Sequence, residues 1–179
     1  GGTLTGTGST AGSVVVAGRL APGDNGIGTL TTAGQTWASG GVLSLDLAAL
    51  PGAGTSWDRL RLNDRLAVTA TAAAPFTIEL FSRDALGNSA ALAGFSPTTS
   101  YAWTFLTATS IPGFARDALR IDASQFSALN NANGLFSLTN SGTALTLLYS
   151  PVPEPSTMAL LAGAGALSFT LWRRRRARR

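Results

Sequence analysis

The chain of 179 residues contains no cysteine, no histidine and no lysine. Without cysteine it has no disulfide and no thiolate metal site, and without histidine it has no Ser-His-Asp or Cys-His nucleophile pair. The absence of lysine excludes Schiff-base chemistry and a phosphate-binding lysine of the Walker type. Carboxylates, hydroxyls and arginine remain for any chemistry, and we expect neither a metal nor another cofactor.

Charge is scarce in residues 1–150 (the body) and concentrated in residues 151–179 (the tail). The body contains seven arginines and eight acidic residues, whereas the tail contains six arginines and a single acid, Glu154. The formal net charge of +4 and the pI of about 11.0 therefore come from the tail. Because the body has no basic footprint, we expect no nucleic-acid partner for it.

The tail has three adjoining parts. A proline-acid-proline motif with its two neighbours comes first: Val152, Pro153, Glu154, Pro155 and Ser156. An uncharged run from Met158 to Trp172 follows, with large side chains at Met158, Leu160, Leu161, Leu167, Phe169, Leu171 and Trp172. Six arginines end the chain: Arg173, Arg174, Arg175, Arg176, Arg178 and Arg179.

This order predicts a single C-terminal transmembrane helix. Fifteen helical residues span about 23 Å, against a hydrocarbon core of about 30 Å, so the helix is short. Its large residues contribute about −3 kcal/mol to insertion, whereas each arginine at mid-bilayer costs about 2.5–3.5 kcal/mol. The arginines therefore predict a stop-transfer block that stays cytoplasmic and leaves the body outside.

Two alternatives to this interpretation remain. An arginine-rich end is also typical of nucleic-acid binding, and an apolar run of this length also occurs as a buried core helix. Within the run, residues 163–166 alternate glycine and alanine, which permits close packing against another helix or serves as filler.

The motif, its spacing from the apolar run and the terminal arginines together resemble the PEP-CTERM sorting signal of Gram-negative bacteria. The resemblance implies a transpeptidase partner, exosortase, with processing near Pro153 to Ser156. It also implies delivery from the inner membrane to the outer envelope or the extracellular matrix, in the context of exopolysaccharide and biofilm. Since the chain starts at Gly1 without a secretory signal, we expect it to be the C-terminal piece of a longer protein or a trimmed chain.

The body has the alternation of short β-strands. Leu43, Leu45 and Leu47 share one face of a predicted strand, and Tyr101, Trp103 and Phe105 share one face of another. Residues 135–139 and 144–149 predict a closing hairpin. We expect Trp103, Phe105, Phe136 and Tyr149 to be core or end-covering residues rather than a ligand platform. The pattern predicts an all-β fold.

Gly-Thr-Leu-Thr occurs at residues 2–5 and again at 28–31, an interval that fits one coil of a solenoid. Residues 18–34, GRLAPGDNGIGTLTTAG, resemble the autotransporter-associated repeats of passenger domains, which implies a right-handed parallel β-helix. The ending of the body resembles the antiparallel C-terminal cap of such proteins. We therefore predict solenoid coils in residues 1–50, further strands and a cap in 51–150, and the sorting signal in 151–179. Asp24 and Asn25 indicate a turn rather than a calcium loop.

The densest charged cluster of the body comprises Asp58, Arg59, Arg61, Asp64 and Arg65. With Leu60 and Leu62 inward, Arg59 and Arg61 share the outer face and offer a possible contact for an acidic glycan; the alternative is a solvated face with weak ion pairs.

No local pair of carboxylates has the arrangement of a glycosidase, so we expect no enzyme. Two functions result: an exported structural or interaction protein, or a polysaccharide-binding or polysaccharide-degrading β-helix.

Overall fold

A computed structural model describes residues 1–24, 26–50 and 56–152. These ranges contain fourteen strands, a 3₁₀ turn at Arg116–Ala118 and one helix, α1 (Ser124–Asn130). The strands are β1 (Thr3–Gly6), β2 (Gly8–Ser9), β3 (Val14–Val16), β4 (Arg19–Pro22), β5 (Thr29–Thr32), β6 (Gln35–Trp37), β7 (Val42–Leu47), β8 (Arg59–Leu62), β9 (Leu66–Val68), β10 (Phe76–Ser82), β11 (Tyr101–Thr107), β12 (Leu119–Asp122), β13 (Leu135–Asn140) and β14 (Ala144–Ser150).

The first sheet contains five parallel strands in the order β1-β4-β7-β10-β12. Alternation along β7 buries Leu43, Leu45 and Leu47 to 1% exposure or less, which confirms the predicted inward face. Leu43 lies in register with Leu20 and Ile78, so neighbouring strands supply one layer of the core.

The second sheet is mixed, in the order β13-β14-β11-β8-β5-β2. Strands β2, β5, β8 and β11 pair in parallel, whereas β14 pairs antiparallel with both β11 and β13. The predicted hairpin over residues 135–149 is confirmed as β13 and β14, with Leu135 opposite Ser150. A third sheet, β3-β6-β9, is parallel.

The prediction of a right-handed parallel β-helix is wrong, because these sheets do not close into a solenoid. A solenoid stacks units of nearly constant length. On the first sheet the separation between register partners instead rises from 16 residues at Thr3–Arg19 to 43 residues at Phe76–Leu119.

The Gly-Thr-Leu-Thr repeat has no structural counterpart. Thr3, Leu4 and Thr5 belong to β1 of the first sheet, whereas Thr29, Leu30 and Thr31 belong to β5 of the second sheet. The two copies therefore occupy different positions, and their interval does not measure a coil. Short Gly-Thr-Leu-Thr segments are simply compatible with any half-buried strand.

No helix within residues 1–24, 26–50 and 56–152 is long and apolar enough to cross a membrane. The single α-helix there, α1, has seven residues and packs against β10. The predicted span from Met158 to Trp172 and the arginine block after it lie outside the described residues.

One hydrophobic cluster joins the sheets. Trp37 stacks on Phe76 with ring centroids 4.4 Å apart. Trp103, Phe105 and Tyr149 are completely buried, which confirms the prediction that these aromatics belong to the core. The half-buried Phe136 packs against the same cluster, with its ring 5.0 Å from that of Tyr149.

Candidate functional site

The predicted sorting residues lie at the margin of the described chain. Strand β14 ends at Ser150, and Val152, two residues later, is 56% exposed. Pro153, Glu154, Pro155 and Ser156, like the rest of the tail, lie outside the described residues. The structure therefore places the point where the tail leaves the body, at the end of β14.

Arg59 and Arg61 lie on β8, with Leu60 and Leu62 buried beneath them as predicted. Their register partners on β5 are Thr29 and Thr31. Neither guanidinium has an ion pair with any residue that the structure describes. This face is a strip of arginine and threonine without an aromatic platform, and the proposed glycan contact there stays a prediction.

Asp58 does not belong to that surface cluster, because it is only 1% exposed. Its Oδ1 accepts the N–H of Gly28 at 2.9 Å, and its Oδ2 accepts the N–H of Asp46 at 2.9 Å. Strand β4 pairs with β7 only at Val42 and Leu43, so β4 offers no acceptor to the N–H of Asp46. The Asp58 carboxyl accepts this N–H instead, and it also links the turn before β5 to β7 through the N–H of Gly28.

Asp46 lies on the outer face of the first sheet but is only 3% exposed. Arg83 Nε lies 3.1 Å from Asp46 Oδ1. This contact is an ion pair without hydrogen-bond geometry, because neither atom has a hydrogen-bond partner among the described residues. The Arg83 guanidinium also lies 5.4 Å above the centroid of the Phe81 ring.

Burial disfavours ionisation of both carboxyls. It raises the pKa of Asp58 to about 8; the nearby Asp46 carboxylate raises it too, and the two accepted N–H bonds oppose the shift. Burial also raises the pKa of Asp46, against the opposing charge of Arg83. The pair therefore favours a protonated Asp58 at neutral pH, beside an Asp46 that Arg83 partly stabilises as the anion.

A groove of about 400 Å³ opens on the outer face of the first sheet. This sheet groove is lined by Thr3, Thr5, Arg19, Ala21, Pro22, Asp24, Ser44, Asp46, Phe81 and Arg83. Arg19 contacts Ser44 Oγ through Nη1 and pairs with Glu79 Oε2 through Nη2 at 2.8 Å. Donors, acceptors and one aromatic ring thus meet in a single concave surface.

The sequence prediction missed this groove, although strand alternation contained part of the signal. Ser44 and Asp46 alternate with the inward leucines of β7 and so lie on its outer face, and Arg19 lies on the neighbouring β4. What the sequence does not give is the register that brings β1, β4, β7 and β10 side by side. Residues far apart in the chain, such as Thr5 and Arg83, meet only through that register.

Comparison with known proteins concerns the tail. Residues 151–176 match the PEP-CTERM protein-sorting motif. No curated protein matches the chain. The PEP-CTERM motif supports an exported protein that carries an exosortase-type sorting signal and is processed at its C-terminus, and it implies an exosortase as a partner. Neither comparison supports the resemblance of residues 18–34 to passenger-domain repeats.

Proposed function

We propose that the chain is an exported structural or interaction protein of the cell surface or extracellular matrix, processed by an exosortase near Pro153 to Ser156. One observation carries the proposal: the PEP-CTERM motif begins at Pro151, directly after β14 ends at Ser150. Cleavage within the motif would therefore remove no residue of the sheets. The matrix context that the tail implies supports a link to envelope or exopolysaccharide.

Before processing, the tail would hold the protein at the inner membrane. The run from Met158 to Trp172 is a marginal span, and the arginines after it favour a cytoplasmic C-terminus. The body would then lie outside, where the processing enzyme could release or transfer it.

The body would act through binding or scaffolding rather than catalysis. Histidine, cysteine and lysine are absent from the sequence, so the common nucleophile–base pairs cannot form. Of the two buried carboxyls, Asp58 is engaged by two backbone N–H groups and Asp46 by Arg83. This arrangement supports a structural role for both.

The test is the mass of the mature protein purified from the envelope of its own host. Intact mass is needed because no lysine or arginine lies between Arg120 and Arg173, so trypsin releases no short C-terminal peptide. We expect a chain that ends near Glu154 to Ser156. A chain that still extends through Trp172 would mean a standing membrane anchor and would overturn the proposal of processing.

A matched pair of variants sharpens this test. Alanine at Pro153, Glu154 and Pro155 together should abolish the trimming, because the proposed recognition motif is lost. Alanine at Pro151 should leave trimming intact, since this proline lies outside the proline-acid-proline core of the motif, Pro153 to Pro155. Equal trimming of both variants would show that the motif is not what the processing enzyme reads.

The sheet groove supports a second candidate function, the binding of a hydroxyl-rich saccharide. Ser44 and Asp46 form its floor, and Phe81 supplies an apolar surface at the same place. Both groove arginines already have carboxylate partners, Glu79 for Arg19 and Asp46 for Arg83. Such paired charges favour hydrogen bonds to neutral hydroxyls over capture of an acidic sugar.

Calorimetric titration with purified host exopolysaccharide and with neutral and acidic oligosaccharides tests this function. Arg19→Ala should weaken neutral-glycan binding about tenfold, a loss of one charge-assisted contact. The double variant Arg59→Ala/Arg61→Ala is the control and should leave that binding unchanged. Loss of acidic-glycan binding in the double variant would assign the glycan-binding site to β8. No binding to any glycan would reject both candidate sites.

A further inference from the structure

Two of the four exposed large apolar side chains among the described residues lie near the point where the tail leaves the body. Leu135 is 66% exposed at the start of β13, and Val152 is 56% exposed just beyond β14. Leu135 is the register partner of Ser150, two residues before Val152. Exposed apolar groups that gather at one place on a surface commonly mark a contact site.

Leu135 opens onto an apolar groove of about 350 Å³, here called the end groove. Its apolar lining is Leu119 and Ile121 from β12 and Leu135, Phe136 and Leu138 from β13. Strands β12 and β13 are the last strands of the first and second sheets, so the groove lies between two sheet edges. Arg116 bridges the edges by donating to the carbonyl oxygen of Leu138 at 3.1 Å.

The chain outside the described residues supplies an apolar segment at this place. Residues 153–179 follow Val152 directly and include the uncharged run from Met158 to Trp172. The connecting residues 151–157 contain three prolines and span up to about 22 Å when extended. The β13 side of the groove, from Leu135 to Leu138, is about 10 Å long, so the run is within reach of all of it.

Charge does not oppose the same contact. The body has one more acidic residue than arginines, whereas the tail has six arginines and one acid. Asp117 and Asp122 lie close to the two ends of β12, and Arg116 and Arg120 lie beside them and balance their charge. A basic tail folded back onto this end of the body therefore meets no net positive charge.

We propose that, before it enters a membrane, the apolar segment Met158–Trp172 docks in the end groove of its own body. The contact covers Leu135 and part of the apolar run at once, so the unprocessed chain hides its sorting segment from water. Removal of the tail, which rests on the proposed processing, then uncovers the groove in the mature protein.

Cysteine cross-linking tests the contact without background, because the chain has no cysteine of its own. In the full chain, at a concentration where it is monomeric, Leu135→Cys with Leu161→Cys should form an intrachain disulfide under mild oxidation. The matched control is Ser100→Cys with Leu161→Cys: Ser100 is exposed directly before β11, which pairs with β14 on the side opposite to β13, so the tail starts close to both positions. We expect the control disulfide to form at least tenfold more slowly.

Two results would overturn the proposal. Equal rates for the two cysteine pairs would mean that the tail has no preferred position on the body. Disulfides that are mainly between chains would assign the groove to a second copy. Neither result bears on whether an exosortase trims the tail, which the intact mass of the mature protein decides separately.

A second measurement uses no engineered bond. Leu135→Asp should speed chymotrypsin cleavage after Leu160, Leu161 and Phe169 at least fivefold, because the charge expels the apolar run from the groove. Val15→Asp should leave that cleavage rate unchanged, because Val15 is 70% exposed on β3, an edge strand of the third sheet. Both substituted positions are exposed, so the fold should survive in both variants, and equal cleavage rates would again reject the contact.

Discussion

Asp58 should be the polar side chain on which the stability of the body depends most. Asp58→Ala removes the acceptor of two buried N–H groups, those of Gly28 and Asp46. Each buried donor left without a partner costs about 1–3 kcal/mol, so we expect a loss of about 2–6 kcal/mol. Because whole domains are stable by only about 5–15 kcal/mol, this variant should approach unfolding.

Asp58→Asn separates the charge from the hydrogen bonds. Asparagine keeps the size of the side chain and one acceptor but faces the second N–H with a donor. We expect it to lose about half as much stability as the alanine variant. Asp64→Ala is the control: Asp64 is exposed two residues after β8, and its loss should stay within about 0.5 kcal/mol.

The pH dependence has a definite sign. The pKa of Asp58 is raised from 3.8 to about 8, so the folded state binds this proton more tightly than the unfolded state. The associated stability is complete below pH 3.8 and is lost as the pH rises towards 8. Asparagine cannot titrate there, so the stability difference between the native protein and Asp58→Asn should shrink between about pH 4 and pH 8.

Urea unfolding at pH 4, 6 and 8 measures these quantities. Trp37, Trp57 and Trp103 are buried, so tryptophan fluorescence follows the loss of the core. An Asp58→Ala variant that stays within 1 kcal/mol of the native protein at every pH would contradict the role assigned to this carboxyl. A stability difference between the native protein and Asp58→Asn that widens with rising pH would contradict it too, because the ionised carboxylate would then be the form that holds the two N–H groups.

Two further changes test the packing around the site. Arg83→Met should lower the free energy of unfolding by about 3–5 kcal/mol, because it leaves the buried carboxylate of Asp46 unpaired. Arg19→Met removes a pair whose side chains are 42% and 27% exposed, so the same urea unfolding should show a loss of at most about 1 kcal/mol. Gly41→Ala should cost about 1–3 kcal/mol in thermal unfolding, because its Cβ would lie 2.4 Å from the carbonyl oxygen of Val16. In the control Gly12→Ala the nearest atom to the new Cβ is Thr10 Oγ1 at 4.0 Å, an ordinary contact, so equal losses for both variants would contradict the tight packing at Gly41.

Local pattern predicted the strands well because alternation is a property of a few neighbouring residues. The inward face of Leu43, Leu45 and Leu47 and the hairpin of β13 and β14 both follow from sequence alone. Closure into a solenoid did not follow, because it depends on a constant number of residues between paired strands. In the first sheet this number rises from 16 to 43 residues.

The buried Asp58 was missed, although the alternation already used for β8 contains its signal. Leu60 and Leu62 face inward, and a period of two places residue 58 on the same side as both. Because Asp58 is charged, it was grouped with the charged surface residues instead of with that inward face. What the sequence could not supply is the partner set, since Gly28 and Asp46 are 30 and 12 residues away and come together only in the folded sheets.

Processing of the tail would change what the molecule can attract. The unprocessed chain has a formal net charge of +4, but the body alone has eight acids against seven arginines. An acidic polysaccharide would therefore be drawn to the unprocessed protein mainly by its tail and hardly at all by the processed one. Since the two arginines of the sheet groove already have carboxylate partners, recognition in that groove has to rest on local hydrogen bonds and shape. A glycan bound there should accordingly bind almost as well at high salt as at low salt, whereas binding at Arg59 and Arg61 should weaken as salt screens two guanidiniums that have no ion pair among the described residues.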